Sequence, residues 1–322
     1  MRALICGVTG QDGCYLASLL LSKGYEVWGT SRDAQTSAQT NLKALCIDDK
    51  VSLLSMAPND FRSVFSAIEA SEPDEIYYLA GQSSVGLSFE QPAETLDSML
   101  TGVLNMLEVI RLRKKSVRFY NAGSSECFGD TGQAAANEST PFYPRSPYAV
   151  AKASAHWLVT NYRESYGLYA CTGILFNHES PLRPRRFVTQ KIIQAAMRIA
   201  AGSDERLVLG RLDILRDWGW APEYVVAMWR MLQQDLPQDF VIATGETHTL
   251  ADFVDTAFSV NNLDWKQHVD VSKALFRPSD IDYSLGDPAA AARLLGWSAK
   301  YKMAEVIAGM SRREAVTAPS WD

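Results

Sequence analysis

Arg2-Ala-Leu-Ile-Cys6 runs directly into Gly7-Val8-Thr9-Gly10-Gln11-Asp12-Gly13, and that into the apolar run from Tyr15 to Leu21. The first segment has the length and character of a buried strand, and the last has helical periodicity. Between them the glycines recur at a three-residue period. Without side chains there, the backbone turns tightly and comes close to a pyrophosphate, whose charge sits on the N–H groups exposed at a helix start. A second strand, Glu26 to Thr30, completes a βαβ unit.

The same alternation continues outward. Val51 to Ser55, Glu75 to Leu79, Val117 to Asn121 and Tyr169 to Phe176 read as strands, with helices over Asp60 to Ala70, Ala93 to Arg113 and Tyr148 to Tyr166. Strands and helices spaced this way predict an α/β fold built on a doubly wound parallel sheet, with ligands at the carboxyl ends of its strands. The glycine loop, Leu79 to Ser84, Gly123 to Glu126 and Asn177 to Arg183 all fall there. The second half is less regular. Phe187 to Ala201 is helical, Phe240 to Thr244 is a strand, and Thr249 with Asp252 caps a helix to about Val260. Asp287, Pro288 and Gly296 bracket another helix. The predicted division is a dinucleotide-binding domain over 1–177 and about 213–258, with a smaller, discontinuous C-terminal substrate domain over about 178–212 and 259–322.

The chemistry concentrates between Gly123 and Lys152. Tyr148 and Lys152 are four residues apart, so a helix places them on one face with an ammonium near a phenol. A phenol with a pKa of about 10 is a poor base at neutral pH. A nearby positive charge favours the phenolate, and a hydroxyl such as that of Ser124 can share the substrate oxygen that carries the proton. That set suits hydride removal from an alcohol. The same spacing also describes a half-buried tyrosine beside a lysine stem. At the end of the second strand, Arg32 matches a 2′-phosphate and so points to NADP, while the adjacent Asp33 is of the type that holds a free ribose hydroxyl. Arg183, Arg185, Arg186 and Lys191, with Arg211, Arg216 and Arg277, form either a solvated basic face or a diphosphate site.

Composition narrows the classes. The 322 residues are 47% hydrophobic and 21% charged, as in an ordinary globular protein. The net charge of −6 argues against nucleic acid or an anionic membrane as partner. No apolar run reaches a membrane-spanning length, and residues Met1 to Gly7 read as a strand, so a cytoplasmic location is expected. The five cysteines and four histidines lack metal-ligand spacing, so no metal is expected.

Taken together, Gly7 to Gly13, Leu79-Ala-Gly-Gln-Ser83, Gly123 to Glu126, Pro141-Phe-Tyr-Pro-Arg-Ser-Pro-Tyr148 and Gly173-Ile-Leu-Phe-Asn-His-Glu-Ser-Pro181 resemble the extended short-chain dehydrogenases. Phe187-Val-Thr-Gln-Lys191, Arg216-Asp-Trp-Gly219 and Phe276-Arg-Pro278 narrow the resemblance to the GDP-mannose 4,6-dehydratases and carry it through nearly the whole chain. This resemblance implies a Rossmann-like sheet, NADP as cofactor, a GDP-sugar substrate and a homo-oligomer, dimer or tetramer. It gives catalytic roles to Ser124, Glu126, Tyr148 and Lys152. Tyr148 would take the proton from the 4-hydroxyl, Lys152 would lower the tyrosine pKa, and Glu126 would move the C5 proton to the departing 6-hydroxyl. It places Gly7, Thr9, Gly10, Gln11, Asp12, Gly13, Arg32, Leu79, Gln82, Ser83, Tyr148, Lys152, His178 and Arg183 against the cofactor. It places Ser83, Ser124, Glu126, Asn177, Val188, Lys191, Arg216, Arg277 and Asp280 against the GDP-sugar.

This chain also departs from the family pattern. The segment after the second strand is short, with a single Arg32, which bears on tetramer formation. The family's acidic residue beside the adenine, after the third strand, has no clear counterpart near Met56-Ala-Pro58. Pro184-Arg185-Arg186 replaces a glycine and an acidic residue, Arg211 stands where asparagine is common, and Asp280 replaces glutamate. A modified substrate such as a GDP-manno-heptose is therefore one alternative. A reductase of GDP-4-keto-6-deoxy sugars and a non-catalytic NADP-binding protein are the others; Glu126 weighs against both.

Overall fold

The computed structural model describes residues 1–113, 115–312 and 319–321. Seven strands form its central sheet: β1 (Arg2–Cys6), β2 (Glu26–Ser31), β3 (Val51–Ser55), β4 (Glu75–Tyr78), β5 (Arg118–Ala122), β6 (Ala170–Leu175) and β7 (Phe240–Ile242). They pair in parallel in the order β7-β6-β5-β4-β1-β2-β3. The order reverses between β1 and β4. That switch point opens a crevice at the carboxyl ends of the strands, where Gly7 follows β1 and Leu79 follows β4.

Helices cover both faces, as a parallel sheet requires. In chain order they are α1 (Gln11–Ser22), α2 (Phe61–Ser71), α3 (Gly102–Arg113), α4 (Pro147–Tyr166), α5 (Val188–Ala200), α6 (Ala221–Leu232), α7 (Leu250–Ser259) and α8 (Met303–Met310). Side chains alternate across a strand, so Ile5 and Tyr77 meet Leu16, Leu20, Tyr224 and Met228 of α1 and α6. Their neighbours Leu4, Ile76 and Tyr78 meet Ile68, Leu107 and Val159 of α2, α3 and α4 on the other face. Each such aliphatic side chain fully buried contributes about 1.5–3 kcal/mol. Helix α6 lies outside the sequence expectation, although Pro222 in its first turn and Glu223 beside it are start signals.

A separate core gathers Ile192 and Ile193 of α5, Phe253 and Phe258 of α7, and Val306 and Ile307 of α8. Residues 250–258, expected with the first domain, pack here instead. The reason is the apolar stripe Leu250, Phe253, Val254, Ala257 and Phe258, which faces α5 and α8 rather than the sheet.

Two expected helices differ in winding. The run from Ala93 to Arg113 is divided into Pro92–Leu96, a wider π turn at Asp97–Thr101, and α3. At the junction a Cβ on Gly102 would meet Pro58 Cβ at 2.9 Å, so glycine lets the helix approach β4. The segment after Asp287 winds as a π turn, Ala291–Leu295, and ends at Gly296 with φ 60°. The capping box of Thr249 and Asp252 forms as expected.

Candidate active site

Helix α4 starts where its sequence says it must. Ser146 Oγ accepts from the Ala149 N–H at 3.1 Å and Pro147 occupies the first turn, which puts Tyr148 at the sheet end and Lys152 one turn deeper. Opposite, Ser124 ends the chain's passage out of β5. Its Oγ accepts from the Glu126 N–H at 3.3 Å and starts the short 3-10 turn Ser125–Phe128. Both segments face a cavity of about 420 Å³. Into it come Asp12, Leu79, Ser83, Ser124, Glu126, Tyr148, Lys152, Asn177, His178, Arg183, Val188, Lys191, Arg216, Arg277 and Asp280, every one expected from the sequence.

The buried Lys152 Nζ donates to the Ala122 carbonyl at 2.7 Å and lies 5.9 Å from the centroid of the Tyr148 ring. Burial draws its pKa down to about 8, opposed by the Cys127 thiol and the Asp12 carboxylate. The expected lowering of the Tyr148 pKa is reversed in the structure. Burial pushes the phenol above its usual value, and the hydrogen bond from Ser124 and the charge of Arg183 only partly oppose it. The same low-dielectric surroundings penalise the charged forms of both Tyr148 and Lys152. Glu126 is only partly buried, and among the described residues no side chain donates to its carboxylate.

The glycine loop has the shape of a phosphate cradle. Gly7 has φ +87°, and a Cβ on it would lie 3.2 Å from Ala80. A Cβ on Gly13 would lie 2.7 Å from Val8 Cα, so the loop closes only around a missing side chain. The Gly10 N–H bonds to the Gly7 carbonyl and the Cys14 N–H to the Gly10 carbonyl, at 3.0 and 3.1 Å. The N–H groups of Gln11, Asp12 and Gly13 belong to the first turn and have no intrahelical acceptor, while the N-cap Gly10 supplies no side-chain cap. Three unclaimed donors on a helix axis fit a diphosphate.

Other expected cofactor residues serve as framework here. Gln11 lies outside the cavity: its Nε2 donates to Asp12 and to the His178 carbonyl, and its Oε1 accepts from Ser180. Thr9 offers its carbonyl to Asn41 Nδ2 at 3.0 Å. Gln82 folds back onto Ser84, donating to its carbonyl at 2.8 Å and accepting its N–H. Arg32 and Asp33 are both exposed at the strand end and neither lines the cavity; Asp33 accepts from the Gln35 and Thr36 N–H groups at 2.9 and 3.3 Å, and hydrogen bonding from the Thr36 side chain and these two N–H groups lowers its pKa.

The basic residues divide into two sets. Arg211 is clamped by Asp213 and Asp282, and the buried Arg216 is held by Asp280 and by the Leu215 and Ile281 carbonyls. Neither is free to convert wholly to a diphosphate ligand. Burial lowers the Arg216 pKa, while Glu126 and Asp280 hold it up, so Arg216 sits within electrostatic reach of the Glu126 carboxylate. Arg277, 3.5 Å from Asp280, and the exposed Lys191 retain donors facing the cavity. Sequence reading missed Glu179 as a site residue. It is buried at 2% exposure, accepts from Thr189 Oγ1 at 2.8 Å, and holds Arg183 at 3.3 Å with the Arg183 guanidinium 3.8 Å from the Phe187 ring centroid. Its place in the Asn177-to-Pro181 run was the available signal. Arg186 was read only as part of the basic cluster, yet it reaches Ser83 Oγ at 3.4 Å across the cavity mouth.

Comparison with known proteins places this arrangement. A family profile described as GDP-mannose 4,6 dehydratase matches residues 4–310. The chain is 46% identical over 308 residues to "GDP-mannose 4,6 dehydratase 1" of Arabidopsis thaliana, covering 92% of this chain and 85% of that one. The chain belongs to the GDP-mannose 4,6-dehydratase family. Among solved structures, the dTDP-glucose 4,6-dehydratase DesIV of Streptomyces venezuelae, with NAD and TYD bound, superposes with a TM-score of 0.85 at 19% identity and covers 96% of each chain. RMD of Pseudomonas aeruginosa, in complex with NADPH, gives 0.79 at 21% identity, covering 96% of this chain and 97% of that one. At those identities the likeness is one of fold. Ser124, Glu126, Tyr148 and Lys152 line one cavity of this family member.

Proposed function

We propose that this member of the family converts GDP-D-mannose to GDP-4-keto-6-deoxy-D-mannose and water. The observation that carries the reading is the Glu126 carboxylate, unclaimed by any side-chain donor, in the same cavity as Tyr148, Ser124 and Lys152. A simple reductase has use for the last three, and its reaction includes no removal of the C5 proton for Glu126 to perform. Tyr148 takes the 4-hydroxyl proton as general base, and Ser124 holds the 4-oxygen. Lys152, fixed on the Ala122 carbonyl, supplies positive charge near the phenolate. The resulting 4-ketone acidifies C5; Glu126 removes that proton and delivers it to the departing 6-hydroxyl. A nicotinamide dinucleotide would supply the redox chemistry when bound, holding the hydride taken from C4 until its return at C6; C5 then regains a proton from solvent as Tyr148 releases the one it took, so no reductant is consumed.

NADP is the proposed dinucleotide. The support is the exposed Arg32 beside an Asp33 that is engaged by its own turn. Gly7, Gly10 and Gly13 with the first-turn N–H groups would cradle the diphosphate, with Asp12 and His178 beside them, and Leu79, Ser83 and Arg183 would flank the nicotinamide half. Asn177, Val188, Lys191, Arg277 and Asp280 hold the GDP-sugar, with Arg216 as the braced centre of that group. The cofactor thus lies on the central sheet and the GDP-sugar against α5 and the loops after it.

A homo-oligomer through the outward faces of α3 and α4 is part of the proposal. Leu104, Leu112, Val150, Trp157 and Tyr166 are exposed there. A cytoplasmic site is also proposed, supported by the free state of all five cysteines. No helix among the described residues is long and apolar enough to cross a membrane.

The test is incubation with GDP-mannose and NADP+ without any reductant. A product lighter by one water with no net change in NADPH absorbance is expected. No product from GDP-mannose, together with consumption of NADPH when NADPH and a GDP-4-keto-6-deoxy sugar are supplied in its place, would point to the reductase instead.

A further inference from the structure

Asp12 is an acidic side chain in the first turn of α1, within the loop whose free N–H groups fit a diphosphate. An uncompensated carboxylate there repels the very anion that the cradle favours. The structure shows what compensates it. His178 Nε2 lies 2.9 Å from Asp12 Oδ2, while its Nδ1 lies 2.7 Å from the Phe176 carbonyl. A carbonyl only accepts, so Nδ1 carries a proton. The carboxylate likewise only accepts, so Nε2 carries one as well. The ring is therefore an imidazolium, stacked 4.6 Å from the Tyr224 ring and side-on to solvent by only 10% of its side chain. Gln11 Nε2 fills the other carboxylate oxygen at 2.9 Å.

We propose that His178 is a positioning residue which, as an imidazolium, cancels the charge of Asp12 at the start of α1 and so lets the cradle accept the diphosphate of a dinucleotide. This rests on the nicotinamide-dinucleotide reading above. The local energetics agree with the geometry. Burial opposes the His178 charge, but Asp12 outweighs it and the imidazole pKa is raised. Burial likewise opposes ionisation of Asp12, yet His178, Gln11 and Arg183 bring it down to about 2. The other groups facing the pair are Arg183 on the following loop, Lys152 on α4, which feels the Asp12 charge, and Tyr224 on α6, with Asp217, Glu223 and Glu179 around that phenol. Asp12 is the carboxylate in direct contact with the imidazole. As pH rises through the raised His178 pKa the imidazolium is lost, Asp12 stands uncompensated, and dinucleotide affinity falls.

The experiment is calorimetric titration of the purified protein with NADP+ from neutral to alkaline pH, for the natural protein, H178N, D12N and D12N/H178N. Nitrogen NMR of His178 reads its protonation directly. In the natural protein the Kd is expected to rise with pH, by about tenfold per unit at most for one linked proton. Lys152 titrates in the same cavity, so the decisive quantity is the part of that slope removed by substitution. H178N is expected to bind at least tenfold more weakly at neutral pH and to lose that part. D12N removes the charge that needs cancelling, so D12N and the double variant are expected to bind better than H178N, also without that part of the slope. Unchanged slope in D12N, a double variant as weak as H178N, or a His178 ring singly protonated at neutral pH would overturn the inference. Absence of NADP+ binding by the natural protein at every pH would instead sink the cofactor reading itself.

Discussion

Lys152 Nζ donates to the Ala122 carbonyl at 2.7 Å, which ties the ammonium of α4 to the last residue of β5. One residue further on, the chain turns through Gly123 into Ser124 and Glu126. The lysine beside Tyr148 thus also fixes the strand end that carries Ser124 and Glu126 into the cavity.

Burial holds the Lys152 pKa down to about 8 against an unfolded value near 10.5. Between those values the unfolded chain binds more protons, so stability rises with pH there, and below about 8 the buried charge costs folding free energy. Lys152→Met is therefore expected to raise the thermal midpoint at neutral pH by a few degrees, about 1–3 kcal/mol, while lowering kcat by at least about a hundredfold. A variant that loses activity and stability together would show that the ammonium is favourable to the fold.

Activity should fall on the alkaline side as Lys152 loses its proton near pH 8, because the phenolate form of Tyr148 then loses its neighbouring charge. A kcat profile against pH should show this limb. Tyr148→Phe should remove turnover while leaving dinucleotide binding within about threefold.

Gly13→Ala places a methyl 2.7 Å from Val8 Cα. The overpacking should cost about 1–3 kcal/mol and abolish measurable NADP+ binding, read by thermal unfolding and titration. Tight binding by this variant would mean that the loop opens far more easily than its packing implies.

Arg32→Ala should weaken NADP+ by about 10–100-fold, the value of a charged hydrogen bond, and leave NAD+ affinity nearly unchanged. Equal losses for both would remove Arg32 from the 2′-phosphate and reopen the choice of dinucleotide.

The sheet was legible because its strands are short apolar runs punctuated by glycine, and because Ser146-Pro147 fixes the start of α4 without tertiary help. The catalytic residues were legible for a related reason: they sit at the ends of those strands, where topology decides position. Helix α6 was not. Its stretch contains Tyr224, Val225, Met228, Trp229, Met231 and Leu232, and only packing against α1 gives that apolar run a direction. The fate of the arginines was hidden as well. Whether Arg211 and Arg216 meet a ligand or a carboxylate depends on Asp213, Asp282 and Asp280, two of which lie more than sixty residues away in sequence. Likewise, the sign of the Tyr148 shift follows from burial, which spacing on a helix does not report.

The central claim is that Glu126 moves the C5 proton, and proton NMR in deuterated water with GDP-mannose and a trace of NADP+ tests it most directly. The natural protein is expected to give a 6-deoxy methyl signal with deuterium at C5, without added reductant. Glu126→Gln is expected to keep dinucleotide binding and lose the methyl product. A Glu126→Gln protein that makes the 6-deoxy product at the natural rate would contradict the role assigned to this carboxylate.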